Sequence, residues 1–171
     1  NTVQLDIEGT GRNTIGLVEY AIKMRDKTFR KYDRVWVVFD KDDFPENNFN
    51  NAIVKASTNN IQCAWTNEAF ELWFLLYFQF VSNGMKRNDY KAFLEREIKR
   101  KSGNNTYRYV KNDPNTFSIL NTHGNKEQAI EWAKRLLENF NNDRYATHNP
   151  CTRVHELIWE LENPDEIANS L

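Results

Sequence analysis

The chain has 171 residues and a formal net charge of −1, long enough to bury a sizeable core as one domain and too evenly charged to argue for or against a nucleic-acid partner. It contains no run of about 18 apolar residues, so no membrane-spanning helix is expected, and the start, NTVQLDIEG, lacks the basic head and apolar centre of a signal peptide. The two cysteines, Cys63 and Cys151, stand far apart in no metal-ligand spacing and are expected as reduced thiols.

Val3, Leu5 and Ile7 alternate with polar residues and predict a strand. GTGRNT then turns the chain, and Asn13 is placed to cap a helix from about Thr14 to Lys27, with Ile15, Val18, Ala21 and Ile22 on one stripe. The run from Arg34 to Asp40 is apolar and β-branched, the pattern of a strand buried on both faces. Pro45 suits the first turn of the next helix, whose apolar stripe is Phe49, Ala52, Ile53 and Ala56. Ile61 to Trp65 predicts a third short strand. A helix from about Glu68 to Phe80 follows, capped by Thr66 or Asn67; it is apolar nearly all round and should be deeply buried. After Asn83 the pattern turns helical, with helices near 88–101, 125–141 and 152–162, caps at Asn125 and Thr152, and one short strand candidate at 106–110.

Strand and helix thus alternate three times, which argues for an α/β fold: a small, mainly parallel sheet with right-handed crossovers, flanked by helices, and a helical C-terminal half packed on it. The expected organisation is a single domain over 1–171, with the α/β core in 1–82 and the mainly helical remainder in 83–171.

Functional groups in open parallel sheets gather at the carboxyl ends of the strands. VWVVFDKDDF ends its strand on Asp40, and Asp42 and Asp43 follow. In an extended segment residues i and i+2 point the same way, so Asp40 and Asp42 are placed to converge, and two converging carboxylates repel unless a cation or protons intervene. Hard oxygen ligands suit Mg²⁺ or Mn²⁺, which keep waters, accept phosphate oxygens and activate water for attack on a phosphodiester. The competing reading is a strand end followed by a solvated turn and a helix cap. Glu68 and Glu71 open the helix after the neighbouring strand, at the same edge. Glu68 complements the dipole of a first turn. Glu71 stands among aromatic residues, where an unpaired carboxylate is costly and a partner or an ion is expected. The candidate catalytic residues are therefore Asp40, Asp42 and Glu71, with Asp40 and Asp42 as metal ligands.

Residues 85–111 carry nine basic residues against three acidic ones, with Tyr90, Phe93, Tyr107 and Tyr109 interleaved. Such a segment can hold phosphates and stack bases, and Lys111, Lys99 and Arg100 are the nucleic-acid-binding candidates; a solvated amphipathic helix is the competing reading. GTGRNT matches neither phosphate-loop pattern and reads as a turn with an Asn cap. His123, His148 and His155 show no metal spacing and read as structural.

YDRVWVVFDKDDF, TNEAFELWFLLYF (Thr66–Phe78), YRYVKN (Tyr107–Asn112) and NPCTRVHELI (Asn149–Ile158), with GTGRNTIGLVEYAI before them, resemble the RloB-like family in order and spacing over nearly the whole chain. These are proteins of restriction-modification and abortive-infection loci, usually beside an ATPase partner. The resemblance implies a Toprim-like core, in which a Glu ending the first strand and a D-x-D ending a later one bind Mg²⁺ for phosphodiester chemistry. Asp40 and Asp42 match that D-x-D. The family's opening strand and its E-G-x-x-T-E motif have no counterpart here beyond Glu8-Gly9, so the first strand and its acid are expected to be absent from this chain, with Glu8 as the one substitute. Tyr77 stands where the family pattern tends to have His. What the resemblance implies is a cytoplasmic, metal-dependent nuclease of phage defence with a nucleic-acid substrate, and the alternative is a non-catalytic module that works with the ATPase. A phosphatase of the haloacid-dehalogenase type also ends a strand on D-x-D, but Asp43 stands where that chemistry wants Thr or Val.

Overall fold

The computed structural model describes residues 4–29 and 31–168. In chain order these form α1 (Thr14–Lys27), β1 (Trp36–Asp40), α2 (Glu46–Thr58), β2 (Gln62–Asn67), α3 (Glu71–Leu75), α4 (Arg87–Ser102), α5 (Thr116–His123), α6 (Lys126–Leu137), a 3₁₀ turn (Tyr145–Thr147), β3 (Cys151–Thr152), α7 (Val154–Glu162) and α8 (Pro164–Ala168). The sheet order is β1-β2-β3. β1 and β2 are parallel, joined through α2, and β3 is antiparallel to β2.

The sheet is mixed, a correction to the mainly parallel sheet that the alternating pattern predicted. Two departures produce it. Val3 of the expected first strand lies outside the described residues, and 4–13 carry no strand: Ile7 is 88% exposed. Alternation makes a strand only where a neighbour pairs its backbone and a core covers one face. Conversely β3 has two residues, too few for any periodicity, and forms because the chain returns beside β2. There Thr66 and Thr152 share a buried hydroxyl hydrogen bond of 2.8 Å, and the Arg153 amide donates to the Trp65 carbonyl at 2.9 Å. Residues 106–110 are irregular, and α5 and α8 lie where no helix was expected.

Period-two pleating sends Val37, Phe39 and Trp65 to one face of the sheet and Trp36, Val38 and Ala64 to the other. The first set packs with α1 and α2, where Phe49 meets both Phe39 and Trp65 edge to face at 5.6 Å between ring centroids. The second face carries a larger cluster built from α3, α4, α5, α6 and α7. α3 is the buried axis of that cluster, as its apolar circumference requires, but it is shorter than its pattern predicted. Past Leu75 the chain tightens into turns closed by Tyr77 N–H to the Phe74 carbonyl (3.2 Å) and Phe78 N–H to the Leu75 carbonyl (2.9 Å). The Asn125 side chain caps α6 by accepting from the Gln128 amide at 2.8 Å, while Asn13 stands at the N-cap of α1 without a side-chain capping bond.

The α5–α6 junction rests directly on the exit of α3. The Asn125 amide donates to the Tyr77 carbonyl at 2.8 Å, and a Cβ on Gly124 would lie 2.7 Å from the Tyr77 Cβ and 2.8 Å from the Leu120 carbonyl oxygen. Neither neighbour is the movable end of a flexible side chain. Gly124→Ala is expected to destabilise the fold by about 1–3 kcal/mol, read as a lower urea midpoint at unchanged m-value.

Candidate functional site at the carboxyl edge of the sheet

Asp40 is the last residue of β1, and its register partner is Thr66 of β2. It lies on the Trp36–Val38 face, where its Oδ2 accepts the Phe70 backbone amide at 3.3 Å, just before α3. Burial is the main force pushing its carboxyl above the usual value; the Phe70 amide and the Lys111 ammonium pull it down, and the Asp42 carboxylate pushes it up again. Lys111 and Asp42 are thus both within electrostatic reach of Asp40.

Asp42 reaches this edge by a different geometry from the one its spacing suggested. The strand ends at Asp40, and Asp42 adopts a left-handed φ of 48°, which Asp tolerates better than most side chains. Strand alternation therefore does not set its direction. Its amide donates to the Glu68 carbonyl at 2.9 Å, and its carboxylate is ion-paired with Arg87 at the start of α4. Asp43 lines a shallow groove with Glu68, Lys86, Arg87 and Lys91.

Glu71 opens α3 and is 1% exposed. Its Oε1 accepts the Tyr109 hydroxyl at 3.2 Å, and its Oε2 is buried without a hydrogen-bond partner. Burial, and then the Glu71 carboxylate, push the Tyr109 hydroxyl well up, so it stays protonated and donates. Glu71, Phe70, Phe74, Tyr109 and Lys111 line a cavity of about 200 Å³. Phe70 both lines this cavity and gives its backbone amide to Asp40.

The remaining candidates divide. Lys111 is at the cavity beside Asp40. Lys99 and Arg100 instead pair with acids of their own helix, Lys99 with Glu95 at 2.7 Å and Arg100 with Glu97 at 2.6 Å, as i,i+4 and i,i+3 spacing on α4 allows. The Glu8 carboxylate accepts the Tyr20 hydroxyl of α1. Among the described residues, no three His, Cys, Asp or Glu side chains stand together as a ready metal centre. Both cysteines are free, and burial pushes each thiol up to about 12. His148 is stacked on Phe140 at 4.4 Å, and burial lowers both His148 and His155. Sequence reasoning missed Arg87 as the partner of Asp42 and Tyr109 as the partner of Glu71. Neither pair had a local signal, because the partners stand 45 and 38 residues apart in sequence.

The upward shift at Asp40 has a sign for stability. Between its unfolded and folded values the native state binds more protons, so stability falls as pH rises through that window and the loss persists above it. Asp40→Asn removes this penalty. Thermal melts are expected to find the variant at least as stable as wild type at neutral pH, with the two converging as the wild-type carboxyl protonates toward pH of about 4. A marked loss of stability at neutral pH would mean that Asp40 is kept for structure.

Among the described residues no helix is long and apolar enough to cross a membrane. No curated protein and no solved structure matches the chain. A family model described as RloB-like protein matches residues 1–161, so the chain belongs to the RloB-like family.

Proposed function

We propose that the chain is a nuclease-type domain, built on a Toprim-like core, whose chemistry lies at the carboxyl edge of β1 and β2. Membership of the RloB-like family fits a protein associated with phage defence. The observation that carries the chemical reading is Asp40: a strand-end carboxylate held partly out of water, pressed by a second carboxylate and faced by a lysine. Such an arrangement costs stability, and sites that bear that cost are commonly functional.

The donor set fits a hard divalent ion. Mg²⁺ and Mn²⁺ accept one or two carboxylates and fill the rest of their coordination with water and phosphate oxygens, and Asp40 with Asp42 offers such a pair, already close enough to repel. When bound, such an ion would supply charge neutralisation and an activated water. The chain's own residues do the rest. Asp40 is oriented by the Phe70 amide, Lys111 offers a positive charge for a phosphodiester oxygen beside it, and Arg87 compensates Asp42 while no divalent charge does so. Glu71 supports the adjoining cavity as a further acid. The ATPase partner, and a role in restriction-linked abortive infection, rest on the family resemblance.

Calorimetric titration of Mn²⁺ and Mg²⁺ into wild type and Asp40→Asn, with cleavage assays on plasmid and RNA, tests the proposal. Wild type should bind the ion and cut, and the variant, still folded, should lose cleavage by roughly a hundredfold or more, the usual scale for removing a fixed charge at a reacting centre. A wild-type chain that neither binds the ions nor cuts sinks the nuclease reading.

A further inference from the structure

The ion pair between Arg87 and Asp42 is not explained by what α4 itself requires. Arg87 is the first residue of α4 and Lys86 its N-cap, and the Lys86 side chain makes no capping bond. A helix N-terminus carries partial positive charge, which favours acids and disfavours cations. Asp89 is the one acid in the first turn. Two cations in succession thus stand at the end of α4 that repels them. The start of α4 also has its own anchor in the fully buried Tyr90. The Tyr90 hydroxyl accepts the Met85 amide at 3.4 Å and donates to the Asn149 side-chain oxygen at 3.2 Å. The Arg87 side chain can therefore leave Asp42 without moving the helix.

The pair occupies a carboxylate that the proposed ion site needs. Asp42 is one of the two acids of that site, and its Oδ1 is held by the guanidinium. Both side chains are less than a third exposed, so water and salt screen the contact only in part. A dication approaching Asp40 and Asp42 meets this cation already in contact with one of its ligands, and like charges repel strongly at short range. Arg87 and the ion therefore compete for Asp42. On its other side Arg87 lines a groove with Lys86, Asn88, Lys91, Asp43 and Glu68. While Arg87 is engaged by Asp42, the two lysines and the two acids of that groove balance. Once an ion answers Asp42, the guanidinium adds net positive charge to the groove, and its planar fork of donors matches phosphate oxygens.

We propose that Arg87 is a placeholder cation: it holds Asp42 until a divalent ion displaces it, and then turns into the groove to bind a backbone phosphate of a nucleic-acid strand beside Lys86 and Lys91. Ion binding and strand binding are thereby coupled. The coupling is reciprocal, since a strand in the groove draws Arg87 away and opens Asp42 to the ion. The ion and the nucleic acid rest on the reading proposed above; the competition for Asp42 does not depend on cleavage. A fixed Arg87 that orients Asp42 as an outer-shell partner would instead strengthen ion binding, so the two roles have opposite signs.

Calorimetric titration of Mn²⁺ into wild type, Arg87→Gln and Arg87→Lys reads that sign. Arg87→Gln should bind Mn²⁺ roughly fivefold or more tightly than wild type, the lower end of the usual coupling between two sites. Arg87→Lys keeps the charge and should stay near wild type; circular dichroism checks that each is folded. Strand binding is read by fluorescence anisotropy with a short phosphorothioate oligothymidylate, which keeps the backbone charge and resists cleavage. Its gain in affinity from EDTA to Mn²⁺ should shrink in Arg87→Gln by a similar factor. Equal or weaker Mn²⁺ binding by Arg87→Gln, or an undiminished gain, overturns the placeholder and leaves the nuclease reading standing. Failure of both wild type and Arg87→Gln to bind Mn²⁺ overturns both. Tighter Mn²⁺ binding and a smaller gain in Arg87→Gln, with no cleavage by wild type, would uphold the placeholder and sink the nuclease reading alone.

Discussion

Parallel pairing of β1 with β2 is the constraint on which the rest depends. Two parallel strands deliver their carboxyl ends to the same edge, and the register here sets Asp40 opposite Thr66. Pairing then continues beyond the strands, with the Lys41 amide on the Thr66 carbonyl and the Asp42 amide on the Glu68 carbonyl, each at 2.9 Å. The DKDD segment and the segment that enters α3 are thereby laid against one another. Three proximities at the site follow from that ladder: Phe70 to Asp40, Glu68 to Asp42, and Glu71 beside the cavity that Phe70 also lines. β2 can serve as the central strand because both of its edges are satisfied, by β1 along its length and by β3 at its end.

The charges gathered at this edge are nearly balanced, and unevenly placed. Asp42 is answered by Arg87, and Asp40 is faced by Lys111 and the Phe70 amide without a direct ion pair. Among the described residues Glu71 is answered only by a neutral hydroxyl. The acids Glu95 and Glu97 of α4 have their charges answered by cations of the same helix. Acids that are partly dry and incompletely answered carry stored electrostatic cost, and a cation, a proton or a polar ligand can relieve it. In this protein that cost is concentrated in the few residues around one cavity, away from the long ion-paired face of α4, where most of the basic residues of 85–111 lie.

This distribution separates two roles that the basic segment mixes in one dimension. Lys99 and Arg100 hold acids of their own helix, while Lys111, on the irregular chain after α4, stands with the strand-end acids. Three of the segments whose order and spacing resemble the family build this edge: the β1 end, the entry to α3, and Tyr109 with Lys111.

Local pattern was enough for α1, β1, α2, the start of β2, α4, α6 and α7, since each rests on periodicity and caps within about a dozen residues. It was also enough to mark Asp40 as a strand-end acid and Glu71 as a carboxylate in apolar surroundings. Tertiary structure decided what depends on partners distant in sequence. The two residues of β3 became a strand only by meeting Thr66 and Asn67, and Leu5 and Ile7 have the alternation of a strand but lie exposed and unpaired. Asp42 was turned by its own backbone conformation and taken by Arg87, 45 residues away, and Glu71 was given Tyr109, 38 residues away. Periodicity is a property of one segment's own residues, whereas hydrogen-bond and ion-pair partners are settled by which segments the core brings into contact.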